Sequence, residues 1–363
     1  MRQSFRALTG LVLLAAAAGC SGTVGSTGLV DGGADAGAPD AGRPDAGSAD
    51  AGAVDAGATD AGTSDSGTVL IDGGLALHCA AQPSACGYPD ETNTGIPAGT
   101  VLAQVPAERT SGAGWSWNAT YQMVEVDGSG ATLENLDISG GIDVNASDVT
   151  VRHCRITLAG ESWGIGLRHS NNVTVDGCEI SSPSATGPDR LLVGIKDVYG
   201  DTTGSQILRN DISHASTSIQ IANGLFQDNY LHDFGFNDGD HLNGVTVGGG
   251  DSTALLVKHN TIFNSYGQTD AISLFQDFGG ESNKTIEDNL VAGGGYCIYG
   301  GAGGAQTSNI HILNNRVSPL YFPAGGSYGW LAAWDDTGPN NVVSGNLWDD
   351  TGSSADEDFT GHP

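Results

Sequence analysis

Basic residues are scarce. The chain of 363 residues carries 13 Lys and Arg against 42 Asp and Glu, a net charge of −29 at pH 7. Phosphate neutralisation needs a basic face, so a nucleic-acid partner is excluded. Any polyanionic substrate would have to meet a local basic patch or a bound cation. Long apolar runs are lacking as well: the stretch from Leu8 to Ala18 is too short to span a bilayer, and no second one follows. Helical periodicity is missing after residue 75, where apolar and polar residues alternate over short runs in the manner of half-buried strands.

What is present begins with Arg2 and Arg6, the short apolar run, then Gly19 and Cys20, the layout of an export signal over residues 1–19. Ala17, Ala18, Gly19 and Cys20 resemble the lipobox of bacterial lipoproteins, with Ala17 where Leu is usual. That resemblance implies lipidation of Cys20, an anchor in a membrane, and location at the bacterial outer membrane or cell surface. The other reading is an ordinary cleaved signal with a stray thiol. From Asp35 to Asp65 an Asp recurs every five residues, each followed by Ala or Ser and then Gly. No large apolar residue recurs with it, so residues 20–74 read as a disordered tether. About fifty residues of such coil reach roughly 40 Å. Its composition is similar to spacers of myxobacterial lipoproteins. Five Cys follow Cys20; Cys79 and Cys86 bracket a short loop that favours a disulfide, and Cys297 is left over.

The strongest internal signal is a pair of near-identical segments, VTVRHCRI from Val149 and VTVDGCEI from Val173. With their Cys as reference, one pattern recurs at Leu136, Cys154, Cys178, Asn210, Asn229, Asn260, Asn289, Asn315 and Asn346. Unequal spacings of 18 to 32 residues mean that loops of different length leave a constant rung. An Asn at the turn can bond to its counterparts above and below while tolerating a left-handed backbone. Such ladders resemble those inside right-handed parallel β-helices, and the likeness extends to secreted bacterial β-helix repeat proteins of the pectate-lyase-like superfamily. The expected fold is therefore all-β, a solenoid of nine coils over residues 121–352, with an N-terminal cap at 75–120 and a tail at 353–363. Cys154 over Cys178 share the column, either bonded or merely stacked. Each coil also carries a second short strand: Ile142 with Val144, Ile165 with Leu167, Val193 with Ile195, Ile219 with Ile221, Val245 with Val247, and Ile272 with Leu274.

Candidate chemistry gathers after the fourth rung. His241, Leu242, Asn243, Gly244 and Val245 resemble the H-x-D-G-[IV] strand entry of secreted β-helix proteins, with Asn243 in place of the Asp. If Ile272 stacks on Val245, Asp270 lies over Asn243. The expected cluster is Asp238, Asp240, His241, Asp270 and Asp277, joined by Lys258 and by Tyr296 of the next coil. A glycoside hydrolase would use Asp240, Asp270 and Asp277 as acid and water-activating carboxylates. A lyase would use His241, Lys258 or Tyr296 as base, with Asp238 and Asp240 as ligands for Ca²⁺. Arg168 and Lys196, placed at equivalent positions of successive rungs, either grip an acidic polymer or only balance nearby carboxylates. Tyr299 and Trp330 belong to an aromatic-rich segment that serves as cap or as carbohydrate platform. The expected partner is an extracellular polysaccharide, bound by a monomer and cleaved by it; the alternative is a non-catalytic adhesive or carbohydrate-binding rod.

Overall fold

The computed structural model describes residues 78–360, so the signal at 1–19, Cys20 and the linker expected at 20–74 lie outside the described residues. Three sheets of ten, eleven and nine strands run the length of the molecule, parallel throughout except for a hairpin at one end. Each coil contributes one strand to every sheet. In one such coil Asn243–Val247 enters the eleven-stranded sheet, Leu255–Lys258 the nine-stranded sheet, and Thr261–Asn264 the ten-stranded sheet. The coil thus holds three strands; the amide column is the corner between two of them, and Ile272 with Leu274 and their equivalents form the third. Inward positions stack like on like. Ile142, Ile165, Ile195, Ile219, Val245, Ile272, Ile298 and Leu331 follow one another in register, all nearly or fully buried. β-branched side chains suit such columns, and burying each contributes about 1.5–3 kcal/mol. One coil departs from the expected register: Ile195 pairs with Ile165 and Asp197 with Leu167, so Val193 sits opposite Trp163 instead. Asp197 is tolerated there because its carboxylate accepts backbone N–H bonds from Gly200 (2.9 Å) and Thr202 (3.0 Å).

The amide column is continuous. Asn210, Asn229, Asn260, Asn289, Asn315 and Asn346 are fully or almost fully buried, and each Nδ2 donates to the next Oδ1 at 2.9–3.0 Å. Each Oδ1 also accepts the backbone N–H of the preceding rung's ladder residue, ending on Cys178 N at 2.9 Å. The left-handed conformation belongs to the residue before the amide, as at Arg209 (φ 53°), Asp228 (59°), His259 (51°) and Asp288 (55°). The corner is turned one residue earlier than expected, which leaves the amide free to bond inside. Cys154 and Cys178 continue the column as free, buried thiols, the Cys154 amide donating to Cys178 Sγ at 3.4 Å. Asp356 closes the other end, one oxygen accepting from Asn346 Nδ2 (2.8 Å) and Asn346 N (3.1 Å) as a further rung would, the other from Gly345 N (2.6 Å). Residues 353–360, expected as part of a tail, thus pack on the last coil.

The segment before the first coil does two jobs. Only Ala103–Val105 and the hairpin Ser111–Gly112 with Trp115–Asn118 cover the first coil, Trp115 being buried. Residues 78–102 instead form a strap that runs along the rod from last coil to first. Cys79 N and Ala80 N donate to the buried Asp349 carboxylate at 3.1 and 3.0 Å, Tyr88 stacks on His259, and Gly95 N donates to Arg209 O. The Cys79–Cys86 disulfide closes the strap's first loop, which packs with Phe263, Leu290 and Ala292.

Candidate functional site

The residue between the two inward apolar positions of each eleven-stranded-sheet strand faces away from the core. In register these are Asp143, Gly166, Lys196, Gln220, Thr246, Ser273 and Tyr299. A second column beside it reads Trp163, Val193, Thr217, Asn243 and Asp270. Above the middle of the first column lies a cleft of about 540 Å³ lined by Lys196, Tyr199, Gln220, Thr246, the Gly248–Asp251 turn, Asp277 and Phe278.

Cations and rings alternate at one end of this surface. The Trp163 indole carries Lys196 Nζ at 5.8 Å and the Arg168 guanidinium at 5.2 Å, and Arg168 lies 5.9 Å from the Tyr199 ring, which stacks on His169 at 4.2 Å. Asp143 orients the group by accepting from Trp163 Nε1 (3.2 Å) and pairing with Arg168 Nε (3.1 Å). Gly166 is required here, since a Cβ on it would collide with the Trp163 indole. Lys196 is half-buried without a carboxylate partner among the described residues, and burial lowers its ammonium pKa. Arg168 and Lys196 are not register equivalents, because Lys196 pairs with Gly166; they meet through Trp163.

The other end is aromatic. Tyr299 packs on Phe275 (5.3 Å) and Tyr296 (5.5 Å), and Tyr296 on the exposed Tyr328 (5.9 Å). Phe278 stands 85% exposed at the cleft rim, against Gly248. Trp330 is not part of this surface. It is wholly buried at the last coil, Nε1 donating to Ala355 O at 3.0 Å, with Phe359 edge-on.

The expected acidic cluster is dispersed. Asp240 is held by Arg190 through two bonds of 2.7 and 2.5 Å, and also accepts from Ser216 Oγ and Asn237 N. Burial pushes its carboxyl up, but those partners outweigh it and hold the group below the usual range, so it is a structural carboxylate and not a general acid. Asp238 and His241 are exposed. Among the described residues no group of three or more His, Cys, Asp and Glu is arranged to hold a metal ion, and of the two residues expected to bind Ca²⁺ Asp240 is taken by Arg190, Ser216 and Asn237 while Asp238 is exposed. Lys258 lies on the nine-stranded sheet, paired with Glu287 at 2.8 Å, and cannot reach the groove. Asp270 does stand in register with Asn243, wholly buried, and neither of its oxygens has a hydrogen-bond partner; burial lifts its carboxyl well above the usual range. Asp277 is exposed at the cleft and Tyr296 lies in the following strand.

The family model described as a right-handed beta helix region matches residues 116–224. No curated protein matches the chain. The parallel three-sheet coils accord with that match, and the fold is a right-handed parallel β-helix. Sequence reasoning missed Trp163, Gln220, Thr246, Ser273 and Phe278. For Thr246 and Ser273 the signal was available: each lies between the two apolar residues that marked its strand.

Proposed function

We propose that this protein binds an extracellular polysaccharide along the outer face of the eleven-stranded sheet. The observation that carries the reading is the floor row Lys196, Gln220 and Thr246, polar side chains at sheet spacing that line the cleft with Tyr199 and Phe278, Trp163 lying beside Lys196. A glycan chain presents hydroxyls at its edges and apolar ring faces, and a row of donors between aromatic faces matches both. The ammonium of Lys196, without an internal counter-charge, favours a sugar bearing an anionic group. The lipobox-like Cys20 and acidic repeat support an exported chain, lipid-anchored at the cell surface.

A second reading, cleavage of the bound chain, has one observation in its favour. Asp270 is wholly buried beside Asn243, and burial lifts its carboxyl well above the usual range, the direction a proton donor needs. With Asp240 committed to Arg190, no second carboxylate is paired with it for a hydrolytic mechanism. Affinity electrophoresis against neutral and uronic-acid polysaccharides, with assays for reducing ends and unsaturated products on the same panel, tests both readings. Retention without product is the expected result. Product abolished by Asp270→Asn would establish the second, and no retention on any glycan would remove the first.

A further inference from the structure

The wall of the cleft contains two buried ionisable groups that the binding surface does not use. Lys284 is fully buried on the nine-stranded sheet, and its Nζ donates to Ala222 O (3.0 Å), Asp251 O (2.9 Å) and Thr253 O (2.9 Å). Those carbonyls belong to different segments, and two of them continue directly from the glycine turn Gly248–Gly250 that lines the cleft. An ammonium among three carbonyls occupies the position a bound cation would take, and ties the wall to the rod. Glu281, three residues earlier, is 1% exposed, and neither oxygen has a partner in hydrogen-bonding geometry. It follows Gly279 and Gly280, which pack on the same turn: Gly250 N donates to Gly280 O, and Phe278 N to Gly248 O.

An ammonium has three protons, and here all three are committed to carbonyls. An ionised Glu281 therefore has no ammonium proton left to accept and only the Gly249 amide beside it, and a buried carboxylate so poorly solvated is costly. The charged groups around it are Lys284 on its own strand and Asp251 on the wall; on the side of Gly301 and Thr307, Asp335 is occupied by Thr307 N and Oγ1. Burial lifts the Glu281 carboxyl to about 7, Lys284 and the Gly249 amide pull it down, and Asp251 adds to the lift.

We propose that Glu281 and Lys284 make the cleft wall proton-sensitive: the protonated carboxyl leaves Lys284 on the wall carbonyls, and the ionised one competes for Lys284 and loosens the wall. The sign follows from the raised carboxyl. The fold disfavours its ionised form, so wall stability is full below the ordinary glutamate value of 4.5 and declines as pH rises through about 7. That this wall serves a glycan cleft rests on the reading above; the proton linkage itself does not.

Hydrogen–deuterium exchange of the full chain without any glycan, corrected for the intrinsic pH dependence of amide exchange, tests it. Between about pH 6 and pH 8.5 the amides of residues 248–253 should lose about tenfold in protection while amides of the Asn260 and Asn289 rungs hold theirs. Glu281→Gln should keep the wall protected at both pH values, and Lys284→Met should leave it exposed at both. Equal protection of residues 248–253 at both pH values in the native chain would overturn the proposal, as would an unchanged pH response in Glu281→Gln. If Lys284→Met fails to fold, the Glu281→Gln comparison decides alone.

Discussion

Two columns of this β-helix obey the same register rule and have opposite characters. At the amide corner the same residue recurs from Asn210 to Asn346, buried and bonded identically at every rung. On the groove floor the sequence changes at every step, from Gly166 through Lys196, Gln220, Thr246 and Ser273 to Tyr299. Repetition at the corner is what a continuous hydrogen-bonded ladder demands, since one missing amide leaves groups unpaired on both neighbours. The floor carries no such continuous ladder, although Ser273 Oγ donates to Thr246 Oγ1 at 2.8 Å, so each rung is free to present a different group. The corner holds the coils in register, and the floor uses that register to set unlike groups about 4.8 Å apart.

The comparison predicts separable defects. The largest should come from Asn260→Leu, which removes the acceptor for Asn229 N and Asn229 Nδ2 and the side-chain donor to Asn289 Oδ1, leaving that oxygen only the backbone N–H of residue 260. Orphaned buried groups cost about 1–3 kcal/mol each, so urea unfolding should show a loss of about 3 kcal/mol or more. Next, Lys196→Ala should reduce glycan affinity by about tenfold, the scale of one charge-assisted bond, with only a small drop in the unfolding midpoint, since Lys196 has no ion pair among the described residues and gives up its contact with Trp163 alone. Phe278→Ala should cost a few-fold in affinity, in line with about 0.5–1.5 kcal/mol for a ring contact, again at constant stability. A smaller stability effect, about 1 kcal/mol, is expected for Asp356→Ala, which frays only the last rung; exchange at Gly345 and Asn346 would register it.

The smallest effect concerns the strap, which crosses the back of the rod. His259, under Tyr88, is raised above its ordinary value of 6.5 by the Asp228 carboxylate, with burial opposing. Its contribution is full below 6.5 and fades as pH rises through the folded value. Proteolysis of residues 78–102 should therefore quicken slightly from about pH 6 to pH 8.5, and His259→Asn, which suits the left-handed backbone there, should remove the pH dependence.

The corner was legible in the sequence because its residue is nearly fixed: the Asn and Cys positions placed eight coils and Leu136 the ninth, despite unequal loops. The strap was not, since residues 78–102 carry no repeat and their course depends on Asp349, Phe263 and Leu290, distant in sequence. The site was half legible. Stacking Ile272 on Val245 correctly placed Asp270 beside Asn243, but loop direction and partners cannot be derived from column position. Asp240 was claimed by Arg190, fifty residues earlier, and Lys258 sits on a different sheet. Trp330 looked like a sugar platform because its composition is the same whether a ring seals an end or faces solvent.

The most direct measurement is a hydrogen-exchange footprint of the native protein with its best-retained polysaccharide. Protection confined to Lys196–Gly200, Gln220, Thr246–Asp251 and Ser273–Phe278, with the amide corner and the strap unaffected, is the predicted result. Protection centred on the ten-stranded sheet or on residues 78–102 would contradict the assignment of the groove.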